Sequence, residues 1–293
     1  MYFNDNTKIF LNGDWIKASE AQVSLYSQSL HYGIGVFEGI RSYELPGGET
    51  SIFKAREHYE RLLYSAEKMH IVVNYPVEEL TRITYRLLEH NKLTNAYIRP
   101  LVYLGNDMAL APTKETHVMI AAWEWKPLLG KELLRVTISP FRRPDPKSCF
   151  VDAKVTGHYI NSLLAQHEAK ARGFSEALLL DGKGFIAEGP GANIFMEKDK
   201  KLYTPPKGNI LPGITRQTVI DLARNAGITV EEKYFTPAEL KEADAAFFTG
   251  TAAEIVGINS IDDQKFKKDY NTSLGATLSK LYSQLVRTSE ITV

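Results

Sequence analysis

The sequence predicts an α/β (α+β) fold in two domains, a small two-layer α+β N-terminal domain and a larger α/β barrel-like C-terminal domain. Three observations predict it. Strand-like apolar runs alternate with two amphipathic helices over the first 125 residues. From Lys126 to Lys147 the texture changes, punctuated by Pro127, Gly130, Pro140, Pro144 and Pro146. Many short strands interleaved with three or four helices then follow. The boundaries read as 1–125, an interdomain loop over 126–134, and 135–293.

Each element has a local reason. KIFLNGDWI (residues 8–16) is a hairpin, with Asn12-Gly13 as a two-residue turn between apolar runs. A short strand at 51–53 leads into a helix from Lys54 to Met69 that places Leu62, Leu63 and Ala66 on one face. Val77 to His90 is a second helix, with Leu80, Ile83, Leu87 and Leu88 at helical spacing. Ala96 to Leu104 and His117 to Trp125 read as strands. In the second domain Arg135 to Ser139 is a strand, and Ile160 to Ala171 is a helix closed by Gly173. Asp181-Gly182-Lys183-Gly184 joins strands Ala177 to Leu180 and Phe185 to Ala187. Thr215 to Ala226 is a helix closed by Gly227, and Thr236-Pro237-Ala238-Glu239 is a capping box with proline at the first helical position.

Bulk properties narrow the function classes. The 293 residues are 44% hydrophobic and 24% charged, an ordinary globular balance. Basic and acidic residues number 35 each, and there is no polybasic run, so a nucleic-acid or membrane partner has no electrostatic support. Cys149 is the only cysteine, which excludes an intrachain disulfide and a cysteine-cluster zinc site. The histidines lack metal-ligand spacing, so no metal is expected. No signal peptide is read at the start, and the apolar runs are too short to span a bilayer, so a cytoplasmic location is expected.

The chemistry-bearing residues lie in separated segments. Lys154 sits in AKVTGHYINSLL, just ahead of a helix. A reactive lysine needs an environment in which it can shed its proton, and an apolar strand end would supply one; a solvated surface lysine is the plainer alternative. Glu188 closes a strand and opens EGPGANIF; its carboxylate either pairs a protonated pyridine nitrogen or faces water in a hairpin. LPGITR places Gly213 and Thr215 at a helix start, suited to a phosphate dianion or serving as a simple N-cap. FFTGTAAEI ends a strand at Thr249-Gly250-Thr251, an anion cup or a plain turn, with Ala252 and Ala253 leaving room beside it. In the first domain Arg56 is either a second phosphate contact or a helix-surface charge. Tyr97 and Arg99 share one strand face, which suits a carboxylate. Tyr32, Phe37 and Tyr43 are bulky enough to be core.

As an ordered set, YGxGVFEGIR, YIRP, EGxGxNIF, LPGITR and GTAAEI resemble the branched-chain amino acid aminotransferases, pyridoxal-phosphate enzymes of fold type IV, from about Leu30 to Ile261. The resemblance implies pyridoxal 5'-phosphate as cofactor, with Lys154 as Schiff-base lysine and proton shuttle. It implies Glu188 at the pyridine nitrogen and Tyr159 at the phenolic oxygen. Arg56, Ile214, Thr215 and Thr251 are implied to hold the phosphate, with Gly191, Leu211, Gly213 and Gly250 shaping the cofactor's bed. For substrate it implies Phe37, Gly39, Tyr97 and Trp125 around an apolar pocket, Tyr97 with the Thr251–Ala252 amides and Ala253 near the α-carboxylate, and Arg41 and Arg99 for a distal carboxylate. Tyr32 is implied to act across a dimer interface. Leu128 stands where many bacterial relatives carry a tyrosine, and GNDMALAP (Gly105 to Pro112) lacks a glycine-rich pattern; both bear on substrate range.

The implied reaction moves the amino group of L-leucine, L-isoleucine or L-valine to 2-oxoglutarate, so the partners are amino acids, 2-oxo acids and at least one further copy of the chain. A D-amino-acid or (R)-amine transaminase is the sibling reading on this scaffold, and Tyr97-x-Arg99 with GTAAEI favours the L-branched-chain one. FEGIR and YIRP argue against an aminodeoxychorismate lyase. Retention of Lys154 and Glu188 argues against a degenerate cofactor-binding protein.

Overall fold

The computed structural model describes residues 2–111, 113–125 and 133–288; the expectation placed on Leu128 and most of the 126–134 loop lie outside these residues. Contacts divide the chain into two compact units. The first holds the described residues of Met1–Lys126, Ala153–Gly157 and Val286–Val293; the second holds those of Pro127–Asp152 and His158–Leu285. Ala153–Gly157, assigned from sequence to the 135–293 domain, groups with the first unit. Its reason is backbone pairing: Phe37 N–H donates to Lys154 O (3.1 Å) and Gly157 N–H to Gly33 O (2.9 Å).

The first unit opens with β1 (Lys8–Leu11) and β2 (Asp14–Lys17). Asn12 and Gly13 both take positive φ (53° and 103°), which a two-residue hairpin loop with matching twist requires. There follow α1 (Gln28–Tyr32), β3 (Gly35–Phe37), β4 (Ile40–Glu44), β5 (Thr50–Ile52), α2 (Ala55–Lys68), α3 (Val77–Asn91), β6 (Ala96–Leu104) and β7 (Thr116–Glu124). The sheet runs β2-β1-β7-β6-β4-β5, with β3 also paired to β6, and every pairing is antiparallel.

Period two in β6 decides what each face does. Ala96, Ile98, Val102 and Leu104 are fully buried in one core with Leu62 of α2 and Leu80, Ile83 and Leu87 of α3. Burying a leucine or isoleucine of this kind contributes roughly 1.5–3 kcal/mol. Tyr97 and Arg99 therefore fall on the opposite face from the helices.

The second unit contains β8 (Leu134–Arg142), α4 (Tyr159–Ala171), β9 (Glu176–Leu180), β10 (Ile186–Glu188), β11 (Asn193–Lys198), β12 (Lys201–Thr204), α5 (Ile214–Asn225), β13 (Val230–Glu232), α6 (Pro237–Lys241), β14 (Ala245–Gly250), β15 (Glu254–Ile261), β16 (Gln264–Lys265) and α7 (Leu274–Leu285). Its sheet order is β10-β9-β8-β15-β14-β11-β12-β13, and β10 also pairs β11. That pairing closes β8, β9, β10, β11, β14 and β15 into a barrel, leaving these strands without an open edge. Leu178, Ile194, Ala246, Phe248 and Ile258 belong to the core cluster of these strands.

The expected caps are present. Gly173 and Gly227 take positive φ (80° and 73°) after α4 and α5. Thr236 Oγ1 accepts from Glu239 N–H while Glu239 Oε2 accepts from Thr236 N–H. Among the described residues no helix is long and apolar enough to cross a membrane.

Candidate active site

In the first unit Lys154 is held by its backbone. Its N–H donates to Ser65 Oγ of α2 (2.9 Å), its carbonyl accepts from Phe37 N–H, and Val155 bridges Val36. Its Nζ lies 4.8 Å from the centroid of the Phe37 ring, and the side chain is half-buried. A lysine pinned at both backbone groups and laid over an aromatic face is a positioned amine, unlike a freely solvated one.

Around Phe37 the residues expected for substrate come together. The Arg99 guanidinium lies 4.9 Å from the Phe37 centroid, and its Nη2–H donates to Tyr97 Oη (3.1 Å). Tyr97, only 7% exposed, packs against Trp123 and Trp125 at 5.1 and 4.8 Å between ring centroids. Arg41, paired opposite Tyr97 in the β4–β6 ladder, stacks over Tyr43 and Trp125. Gly39 is obligatory beneath Tyr97, because a Cβ there would stand 2.0 Å from the phenolic oxygen. Among the described residues, Arg99 Nε–H and Trp125 Nε1–H are buried without a protein acceptor. Buried unpaired donors are costly, so this face suits an anionic ligand.

The structure does not bring two first-unit residues into this set. Arg56 is 62% exposed at its side chain and pairs with Glu78 (2.9 Å) and Glu60 (3.8 Å). It lies about 180° around α2 from Ser65, nine residues at 3.6 per turn. Arg61 stands one turn before Ser65, whose Oγ–H donates to Arg61 O. Arg61 Nε–H and Nη2–H donate to the fully buried Glu38 carboxylate at 2.7 and 3.0 Å, and His58 Nδ1 meets the same carboxylate at 2.7 Å. Burial alone would raise the Glu38 carboxyl, but Arg61 and His58 hold it below the usual carboxylate range. Burial keeps His58 below its ordinary value, against the pull of Glu38.

Sequence reading missed the Glu38–His58–Arg61 cluster. The available signals were a glutamate between Phe37 and Gly39 in an apolar run, and an i,i+3 His–Arg pair on the buried face of α2. Tyr32 also stands apart: it ends α1, is 46% exposed, and donates its hydroxyl to Met108 O (3.0 Å).

In the second unit three distant motifs converge. Glu188 ends β10 with its carboxylate buried, accepting from Asn193 Nδ2 (2.9 Å) and from Leu211 N–H (3.1 Å). Asn193 Nδ2 also donates to Leu211 O (3.0 Å), so EGPGANIF and LPGITR are tied at one point. Gly213 is required there, since its Cβ would stand 2.0 Å from Asn193 Oδ1. The third motif joins through the β11–β14 ladder, where Asn193 faces Thr249, and a Cβ on Gly250 would lie 3.1 Å from Gly191 O. Thr251, Ala252 and Ala253 form the tight loop between β14 and β15, and Glu254 closes it with φ 57°. Tyr159 is the first residue of α4.

The residues also fit a phosphorylated pyridine cofactor. α5 begins at Ile214 and Thr215 behind Gly213, which offers no side-chain cap, so first-turn N–H groups remain for an anion. Gly191 has an ordinary backbone, and a Cβ there would meet open space, so nothing among the described residues demands glycine at that position. Among the described residues no His, Cys, Asp and Glu grouping suits a metal ion.

Residues 35–261 match the family model for amino-transferase class IV. The branched-chain-amino-acid aminotransferase of Pseudomonas aeruginosa is 40% identical over 284 residues, covering 95% of this chain and 92% of that protein. A crystal structure of the branched-chain aminotransferase from the thermophilic archaeon Thermoproteus uzoniensis with norvaline superposes with a TM-score of 0.93 at 39% identity, covering 97% and 96% of the two chains. The branched-chain amino acid aminotransferase of Thermobaculum terrenum in its PLP-form gives 0.91 at 32% identity, covering 97% and 95%. A family match over most of the chain, high identity and motifs that meet in space agree. The chain belongs to the amino-transferase class IV family.

Proposed function

We propose that this protein is a pyridoxal-phosphate-dependent transaminase that moves the amino group of L-leucine, L-isoleucine or L-valine to 2-oxoglutarate, reversibly. The observation that carries the proposal is Lys154 Nζ over Phe37, in one connected set with Arg99 and Tyr97. The names of the relatives support the substrate class. When bound, the cofactor supplies an electron sink for the carbon that loses its proton.

The protein's residues divide the remaining work. Lys154 holds the cofactor, and its Nζ takes the substrate α-proton and returns it. Glu188 holds the pyridine nitrogen, and Tyr159 the phenolic oxygen. Arg56, Ile214, Thr215 and Thr251 hold the phosphate. Gly191, Leu211, Gly213 and Gly250 leave the space these contacts need.

Tyr97 and the Thr251–Ala252 amides receive the α-carboxylate, with Ala253 beside them, and Phe37, Gly39 and Trp125 receive the aliphatic side chain. Arg99, with Arg41 behind it, receives the second carboxylate when glutamate occupies the same place. The buried Arg99 Nε–H and Trp125 Nε1–H are the donors that such an anion would satisfy. Tyr32 serves a second copy in a cytoplasmic homodimer, a role its exposure on α1 supports.

The test is a donor screen. Purified protein with L-leucine, L-valine or L-isoleucine and 2-oxoglutarate is expected to yield glutamate. Reaction with D-amino acids or (R)-amines alone would overturn the substrate class.

A further inference from the structure

The sequence contains an arginine pair, Arg142-Arg143, to which the proposed reaction assigns no role. The structure separates the two. Arg142 ends β8 and donates Nη1–H to Asp181 O (2.8 Å), bracing the turn before β10. Arg143 is the next residue, anchored by its N–H to Leu180 O (2.9 Å). Its Nε lies 2.8 Å from Glu188 Oε1, and both side chains are under a tenth exposed, at 9% and 6%. The Nε–H is not aligned for a hydrogen bond, so charge is the main content of this contact. Arg143 Nη2–H also donates to Val151 O (3.3 Å), three residues ahead of Lys154 in the chain.

We propose that Arg143 is a positioning residue for the cofactor carboxylate: its buried guanidinium keeps Glu188 ionised and oriented to hold a protonated pyridine nitrogen. This rests on the reading of Glu188 given above. Asn193 Nδ2–H and Leu211 N–H fix where the carboxylate stands, but both donors are neutral. A carboxylate this deeply buried takes up a proton readily unless a cation stands against it. A protonated Glu188 would offer the pyridine nitrogen a hydrogen-bond donor, where a protonated ring nitrogen needs an acceptor. Arg143 stands against the carboxylate itself, so its charge acts first on Glu188. The ion pair therefore sets cofactor affinity and the strength of the electron sink, while the substrate side chain is recognised elsewhere.

The experiment compares wild type, Arg143→Gln, Arg143→Lys, Glu188→Gln and the Arg143→Gln/Glu188→Gln double variant. Pyridoxal phosphate affinity is titrated on each apoprotein by quenching of intrinsic fluorescence, and apoprotein thermal unfolding is recorded alongside. Arg143→Gln is expected to weaken cofactor binding by roughly tenfold or more, the scale of a lost charge-assisted contact. It should lower kcat while leaving the L-leucine KM within about twofold. Arg143→Lys, which keeps the charge, should retain affinity within about threefold of wild type. In the Glu188→Gln background Arg143→Gln should change affinity little, because the charge it serves is already gone.

An unaltered affinity in Arg143→Gln with only a lower unfolding temperature would make Arg143 merely structural and overturn the proposal. So would a loss that persists undiminished in the Glu188→Gln background. If Arg143→Gln does not fold, Arg143→Lys decides: near-wild-type affinity supports the charge role, and a tenfold loss overturns it. A wild type that fails to bind pyridoxal phosphate at all would defeat the reading of the site itself, a separate result.

Discussion

Replacing Gly39 with alanine adds a single methyl group, and the geometry around Tyr97 makes its consequence calculable. The new Cβ would stand 2.0 Å from Tyr97 Oη and 2.8 Å from Cζ, far inside contact distance. Tyr97 has little room to retreat: Trp123 and Trp125 pack on its ring, Arg99 Nη2–H bonds its oxygen, and Arg41 sits opposite it in the ladder. Overpacking of this kind costs about 1–3 kcal/mol of stability. Displacing the Tyr97 hydroxyl also removes a hydrogen bond to a charged group, worth about 1.5–3 kcal/mol. At 1.4 kcal/mol per decade, the L-leucine KM of Gly39→Ala should rise roughly tenfold to a hundredfold. The assay is steady-state transamination at saturating 2-oxoglutarate, with apoprotein thermal unfolding for stability and cofactor absorbance as a control that should not move. A KM within twofold of wild type together with an unchanged unfolding temperature would show that Tyr97 neither holds the carboxylate nor is held by Gly39.

Three further outcomes are expected. Lys154→Ala should abolish the visible absorbance of the lysine-bound cofactor, read from a simple spectrum, and a colourless wild type would defeat the cofactor assignment. Arg56→Ala should weaken pyridoxal phosphate affinity roughly tenfold in a fluorescence titration, the scale of a lost charge-assisted contact; Arg61→Ala should destabilise the fold by about 3–5 kcal/mol in denaturant titration by stranding Glu38. Burial raises the Glu176 carboxyl to about 7, against the Ala177 N–H bond and Lys170. The folded chain thus keeps a proton that the unfolded chain releases near the usual glutamate range, so this contribution to stability is full at low pH and is lost as pH rises through about 7. Glu176→Gln should match wild type near pH 4 and exceed it by about 1–3 kcal/mol at pH 8 in denaturant titrations.

Much of the molecule was legible residue by residue because its signals are local. The Asn12-Gly13 turn, the β6 span from Ala96 to Leu104, the glycines after α4 and α5 and the Thr236 capping box each depend on a few neighbouring residues. Ordered motifs likewise marked Lys154 and Glu188, because a family signature is a pattern along the chain. Arg56 and Arg61 illustrate the opposite case. Both are arginines of one amphipathic helix, and only the packing of α2 shows that Arg56 meets Glu78 while Arg61 meets Glu38. The barrel-like second domain was legible, but which strands close it was not, since the β10–β11 contact is a single pair, Glu188 with Asn193, whose strand signal is slight.

By itself, then, the sequence determined the fold class, the order of the helices and main strands, and the residue types needed to hold a phosphorylated pyridine. Periodicity, turn chemistry and caps act over a turn or two, so they are written in neighbouring residues. Tertiary structure alone decided which charges stand together. It put Arg143 against Glu188, Arg61 and His58 against Glu38, and Arg99 over Phe37, across separations of 45, 23, 20 and 62 residues. Such pairings follow from burial and chain topology, because a charged group leaves water only where a partner from elsewhere in the chain can meet it.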